Sequence, residues 1–312
     1  MTIGGADAIM KVVKGIGRGP LSPISSPGLL LFSLFLFLLC ACSGSDPITP
    51  QLSIVNVGSD TMVNLALAWA EAYHELHPEV SISVTGGGSG TGIASLINGS
   101  TDIANASREM KEEEFEQAEE QGIAPVEHVV AMDAIAVVVN PGNPLDQLSI
   151  PQISDLFTGR ITVWQELGGE NRPVILASRE SNSGTYVYFL EKVVQRDDPD
   201  NHDLFSPEAL LLPSSEVIGL EVSQNPNAIG YDGLGYVTPH QKALKVAVDQ
   251  TGPFVAPSIE TVKDGTYPIA RPLYMYTRGE PTGPIKEYLD WIVSDDGQKI
   301  VAELGFVPLS DS

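Results

Sequence analysis

Residues 80–100 read VSISVTGGGSGTGIASLINGS, and few stretches restrict a fold more. Val80, Ile82 and Val84 alternate with polar residues, the two-residue period of a half-buried strand. A glycine-rich turn follows and opens a short helix. The same order recurs upstream. LSIVNV at 52–57 reads as a strand and GSDT as a turn. Met62, Leu65, Trp69, Tyr73 and Leu76 then keep a 3.6-residue period up to about Pro78. Downstream, a strand around DIANAS precedes the acidic helical run REMKEEEFEQAEEQ, a solvated helix face. Strands that alternate with helices predict α/β layers on a largely parallel sheet.

Residues 126–139 are rich in Val and Ala and read as a strand crossing into a second lobe, with Pro141, Pro144 and Pro151 after it. That lobe holds ISDLFTGRITVWQELGG, the strand PVILAS, the stretch SRESNSGTY with its helix, and NAIGYDGLGY. The chain is expected to return at 246–257, to form a strand in YPIARPLYMYT and to end in two helices. Lobe 1 is thus residues 52–135 plus 252–312 and lobe 2 is 136–251, with hinge crossings at 131–139 and 246–257. There is no internal repeat. Phe157, Trp164 and Tyr236 are expected in the core.

Residues 1–41 read as a targeting segment. Lys11, Lys14 and Arg18 form a basic region before the apolar run Gly28–Ala41, which is short for a membrane span and suits a signal peptide. LCAC at 39–42 resembles a bacterial lipoprotein signal box, which would make Cys42 the lipid-carrying first residue and residues 42–51 a flexible tether. Met10 is an alternative start. Both cysteines, Cys40 and Cys42, lie here, so the remaining domain has no disulfide and depends on core burial. The segment holds three of the 17 Lys and Arg and one of the 40 Asp and Glu, leaving a formal charge of −25 on the rest. That excludes nucleic acid as partner. It does not exclude a small anion, because diffuse surface charge is screened beyond about 10 Å.

Three turns between a strand and a helix carry glycine or hydroxyls: Gly58–Met62, Gly86–Gly92 and SRESNSGTY at 178–186. In parallel α/β sheets such turns face one crevice. Helix starts offer free N–H groups and the positive end of a dipole. With hydroxyls and the Arg179 guanidinium, they point to one shared oxyanion site. Enzyme motifs fail. G-x-S-x-G around Ser89 would need glycine where Thr91 stands, and the P-loop spacing from Gly87 to Gly92 is followed by Ile93 and Ala94. His74 and His77 lack the zinc-protease spacing, and no Cys/His cluster exists, so neither metal nor other cofactor is expected.

At this level the chain resembles the substrate-binding proteins of phosphate-specific ABC transporters, across about 52–310. LFTGRITVWQEL, NAIGYDGLGY and LYMYTRGEPTGPIKEYLDWIVSDDGQKIVAELGFVPL carry the resemblance. It implies a type II periplasmic-binding-protein fold. Each of its two lobes has a mainly parallel sheet flanked by helices, and a two-stranded hinge joins them. It implies no enzyme activity and a monomer that closes on inorganic phosphate and delivers it to permease and ATPase subunits in the inner membrane. By position, Thr61 and Met62 match first-turn residues offering a hydroxyl and backbone N–H groups, with Ser59 beside them. Ser89 matches the serine of the second turn, next to Gly90 and Thr91. Arg179, Ser183, Gly184 and Thr185 match the second-lobe Arg-x-x-x-Ser-Gly-Thr. Where well-known members carry an aspartate that accepts the phosphate proton, NASRE places Arg108. Arg108 either bonds the anion or pairs with a carboxylate. The proton acceptor is then expected to be Asp60, with Glu180 second; the competing role for Asp60 is a helix cap. Other readings are a receptor for sulfate or molybdate and a phosphate sensor or surface protein without transport.

Overall fold

A computed structural model describes residues 52–309, so the targeting segment, Cys42 and the tether lie outside the described residues. The first lobe starts with β1 (Leu52–Gly58), a 3-10 turn (Asp60–Met62), α1 (Val63–Leu76), β2 (Val80–Thr85), α2 (Ser89–Ile97), β3 (Ile103–Ala106) and α3 (Glu112–Glu120). The 14-residue β4 (Val126–Val139) leads into β5 (Gln147–Ser149), α4 (Ile150–Phe157), β6 (Ile175–Arg179) and α5 (Gly184–Phe189). Then come β7 (Leu210–Leu212), α6 (Ser215–Gln224), β8 (Ala228–Gly233), β9 (Lys242–Ala243), β10 (Lys245–Ala247) and α7 (Ile259–Lys263). The chain closes with β11 (Ala270–Thr277), α8 (Gly283–Ile292) and α9 (Asp295–Glu303).

The main sheet runs β2-β1-β3-β11-β4-β8-β6-β7, with β9 also on β4. The outer strands are parallel, β1 to β2 and β3, and β6 to β7 and β8. Next to β4 the sheet is antiparallel. The expectation of mainly parallel lobes thus holds outside and gives way to a mixed sheet at the centre. There one long strand serves both lobes: Val126–Ala134 pairs with β11, and Ile135–Val139 pairs with β8. A strand that must belong to two sheets needs partners arriving from both lobes, and only antiparallel returns supply them within this chain order.

Each lobe has its own core. Met62, Leu65, Trp69 and Tyr73 of the first helical segment pack under the sheet with Ile54, Leu273 and Tyr288, while Leu76, expected on the same row, is exposed on the last turn. The second core holds Ile153, Phe157, Trp164, Phe189 and Tyr231, with the Phe189 and Tyr231 rings stacked 3.8 Å apart. Each large side chain so buried stabilises the fold by about 1.5–3 kcal/mol, so the polar strand ends need not stabilise it themselves. Val262, Tyr267 and Ile269 also pack in the second core. Residues beyond the expected return at 246–257 thus still pack in the second core, and from Ala270 the chain pairs along β4.

Candidate functional site

The first-lobe wall of the crevice is built from the ends of β1, β2 and β3. Ser59, at the end of β1, donates to Ser107 Oγ at 2.9 Å. Ser107, just past β3, gives its backbone N–H to Ser89 Oγ at 3.0 Å, and the two hydroxyls stand 3.3 Å apart. All three serines are buried. Ser107 was not anticipated from the sequence, since a lone serine after a strand carries no local signal.

The second-lobe wall is the turn from β6 into α5. Ser183 caps the helix, accepting the N–H groups of Thr185 at 3.2 Å and Tyr186 at 3.5 Å. The walls meet closely. Thr61 Oγ1 and Thr185 Oγ1 are 2.7 Å apart across the crevice. Gly90 N–H donates to Asn182 O at 3.1 Å, and Asn182 Nδ2 donates to Gly87 O at 2.8 Å. Gly184 is glycine for this reason: a Cβ there would stand 2.3 Å from Ser89 Oγ and 2.6 Å from Ser107 Oγ. A Cβ on Gly88 would likewise stand 2.7 Å from Asn182 O.

Arg179 ends β6, and its side chain is only 1% exposed. Its Nη2 donates to Asp60 Oδ2 and to Pro213 O, both at 3.0 Å, and its Nη1 to Ser215 Oγ at 3.2 Å. Behind Ser215 lies Asp232, fully buried, with Oδ2 lacking a hydrogen-bond partner among the described residues. Burial pushes the Asp232 carboxyl up to about 7, against the pull of the Ser215 hydroxyl and Arg179. Asp60 also accepts the Gly87 N–H at 3.1 Å on Oδ1. Asp60 therefore ties the first turn to the second turn and to Arg179, rather than capping the helix that follows it. Its backbone carbonyl accepts the Tyr236 hydroxyl at 2.9 Å, and the Tyr236 side chain packs in the first core.

A second buried guanidinium sits at the base. Arg271 on β11 faces Asp133 on β4 in strand register, with Nη2 3.1 Å from Asp133 Oδ2. Burial raises the Asp133 carboxyl and lowers the Arg271 guanidinium, and their mutual attraction opposes both. Neither residue was expected at the site. The available signal was a charged side chain in the inward-facing row of a strand, Arg271 between Ile269 and Leu273, and Asp133 between Ala131 and Ile135.

The structure thus gathers Ser59, Asp60, Thr61, Ser89, Arg179, Ser183, Gly184 and Thr185, and other expected residues turn elsewhere. The Met62 side chain is in the first core and its N–H donates to Ser59 O. The Gly90 N–H is taken by Asn182, and Thr91 is exposed with its hydroxyl on Gly87 O at 2.6 Å. Glu180 is exposed. Arg108 holds Glu114 with both terminal nitrogens at 2.7 Å and adds Glu109 O at 2.8 Å, so it takes the carboxylate-pairing role. Burial acts to raise the Glu114 carboxyl, but the Arg108 bond, the Lys111 N–H and the two nearby positive charges together outweigh it, and the net shift is downward. The walls are rich in hydroxyls around a buried cation, chemistry that suits holding an oxyanion.

Residues 44–296 match the sequence profile of the PBP superfamily domain. The phosphate-binding protein PstS of Pseudomonas aeruginosa is 33% identical over 294 residues, covering 86% of this chain and 89% of its own. The phosphate-binding protein PstS of Bacillus subtilis is 33% identical over 296 residues, covering 91% of this chain and 93% of its own. A crystal structure from Clostridium perfringens, described as a phosphate ABC transporter substrate-binding protein with bound phosphate, is 33% identical with a TM-score of 0.74. It covers 83% of this chain and 100% of its own. An ABC-type phosphate transport receptor from Vibrio cholerae, 27% identical, has a TM-score of 0.65.

Proposed function

The chain belongs to the PBP superfamily and, within it, to the PstS family of phosphate-binding proteins, and from that premise we propose that it captures inorganic phosphate between its lobes and delivers it to an ABC permease. The observation that carries the proposal is the buried Arg179 beside hydroxyls that meet across the crevice, Thr61 and Thr185 among them. Closure replaces water around the anion with donors that the fold already holds in place, and no chemistry follows. The ligand set is Ser59, Thr61, Ser89, Arg179, Ser183, Gly184 and Thr185. Export and a lipid on Cys42 keep the receptor near its permease, with residues 43–51 as the tether; the mass of the mature N-terminus tests the lipid directly.

Asp60 is the acceptor for the proton that phosphate retains and sulfate lacks. Its carboxylate accepts one bond on each oxygen from the protein, from Gly87 N–H and Arg179, which leaves lone pairs for a third donor. Facing sulfate, that carboxylate meets an unprotonated oxygen, a mismatch worth about 1–3 kcal/mol or more. The test is calorimetric titration of protein stripped of bound phosphate. Phosphate binds one-to-one and sulfate gives no heat, while Asp60→Asn narrows the preference by roughly tenfold or more. Sulfate or molybdate bound in place of phosphate overturns the substrate. An unchanged preference in Asp60→Asn overturns only the role of Asp60.

A further inference from the structure

Arg271 is fully buried and donates in three directions. Nη1 reaches Ser107 O at 2.6 Å, and Nη2 reaches Asp133 Oδ2 at 3.1 Å and Thr185 Oγ1 at 2.8 Å. Its guanidinium carbon lies 5.4 Å from the Tyr188 ring centre. Ser107 belongs to the first-lobe wall, Thr185 to the second, and Asp133 to the strand that serves both. Asp133 in turn accepts the Leu234 N–H at 3.2 Å on its other oxygen. One side chain therefore touches both jaws and the hinge strand.

The chemistry of a guanidinium makes this directional. Arginine has no acceptor, so Thr185 Oγ1 must accept from it. That fixes where the Thr185 hydroxyl proton can go, either to Thr61 Oγ1 at 2.7 Å or into the crevice. In both cases one hydroxyl proton of the pair is left to point at a ligand. On the opposite wall Ser107 N–H plays the matching part, because it occupies a lone pair of Ser89 Oγ and leaves the Ser89 proton free to donate.

We propose that Arg271 is a positioning residue for anion binding: held by Asp133, it orients the Thr185–Thr61 hydroxyl pair as donors and places a second buried positive charge behind the site. The inference rests on the phosphate-receptor reading and adds to it. A positive charge at the hinge also favours the closed arrangement, because its bonds to Ser107 and Thr185 exist together only when the two walls are close. Selectivity follows as well, since a hydroxyl pair with its protons directed inward rewards an acceptor-rich tetrahedral anion and penalises a ligand that must donate there.

The test measures phosphate affinity by calorimetry in the full domain. Arg271→Lys keeps the charge but cannot span three acceptors. Arg271→Gln removes the charge and is made with Asp133→Asn, so that no lone carboxylate is left buried; Asp133→Asn alone is its reference. Thr185→Ala is combined with Arg271→Lys. Loss of a charge-assisted bond predicts roughly 10- to 100-fold weaker binding for Arg271→Gln relative to its reference, with Arg271→Lys in between. The loss from Arg271→Lys shrinks severalfold in the Thr185→Ala background, because the two act in series. Lys and Gln variants that bind equally well, or losses that simply multiply, overturn the proposal and leave the receptor reading intact. If Arg271→Lys does not fold, the Gln/Asn pair decides alone. A wild-type protein that binds no phosphate overturns both.

Discussion

The two walls of the crevice do the same job with different means. The first-lobe wall takes residues from three strand ends, and its inner surface is neutral: Ser59, Thr61, Ser89 and Ser107. Its one carboxylate, Asp60, reaches over to Arg179 of the other lobe. The second-lobe wall comes from a single turn and holds the charge, with Arg179 in front and Ser215 and Asp232 behind. Neutral hydroxyls cost little to bury when bonded to each other, so one lobe can present several. A buried guanidinium needs acceptors arranged around it, which one rigid turn on a packed core provides. Of the two walls, the first thus sets the shape of the site and the second adds charge and a group sensitive to pH, while Arg271 and Asp133 add theirs from β11 and β4.

The largest expected effect tests that division. In the unfolded chain the Asp232 carboxyl ionises near its ordinary value of 3.8, whereas in the fold it holds its proton up to about 7. Between those values the folded protein binds a proton that the unfolded chain has released. Stability from this group is therefore full at the acid end and declines as pH rises through about 7, by ~1.4 kcal/mol per unit and ~4 kcal/mol in all. Asp133 at the hinge shifts in the same direction. Denaturant melts between pH 5 and 7 should show the decline in wild type and a shallower one in Asp232→Asn. An unaltered slope would place the pH response outside the second-lobe wall.

Next in size is the contact between the walls. In Gly184→Ala the added methyl meets Ser89 Oγ and Ser107 Oγ of the opposite lobe. Overpacking of this kind costs about 1–3 kcal/mol, which predicts phosphate binding weakened roughly 5- to 150-fold. The cost falls only when the walls touch, so melting without phosphate should change far less than melting with it. Equal affinity for the alanine variant would mean that the lobes stay further apart around the bound anion.

The three turns were legible in the sequence because each pairs a local signal, alternating apolar residues, with a glycine or hydroxyl run before a helix. The two-lobed fold was legible for the same reason, as was the pairing option for Arg108, since Glu114 lies one helical cap away in the same segment. Ser107, Arg271 and Asp133 were not found. Their roles depend on β11 returning beside β4 after more than a hundred residues of second lobe, and no local pattern encodes that register. The core that takes Val262, Tyr267 and Ile269 is hidden for a related reason: they fit either core by composition, and only packing assigns them. Thr91 and Met62 lie in turns the sequence singles out, yet the Thr91 hydroxyl turns back onto Gly87 O and the Met62 N–H donates to Ser59 O, details of local geometry that turn composition does not encode.

The smallest effect separates capture from release. Asn182 belongs to the second-lobe turn, and its exposed side chain donates to Gly87 O at 2.8 Å on the first. Its backbone carbonyl also accepts the Gly90 N–H, a bond that substitution leaves in place. Asn182→Ala thus deletes one solvent-accessible hydrogen bond, worth about 0.5–1 kcal/mol, or roughly two- to fivefold in affinity. The bond forms only after the walls have met, so the loss should fall on the phosphate release rate while the association rate stays constant. Stopped-flow release against a phosphate trap measures this. A change confined to association would mean that the Asn182 turn meets Gly87 before the anion is enclosed, and the two walls would then differ in order of engagement as well as in charge.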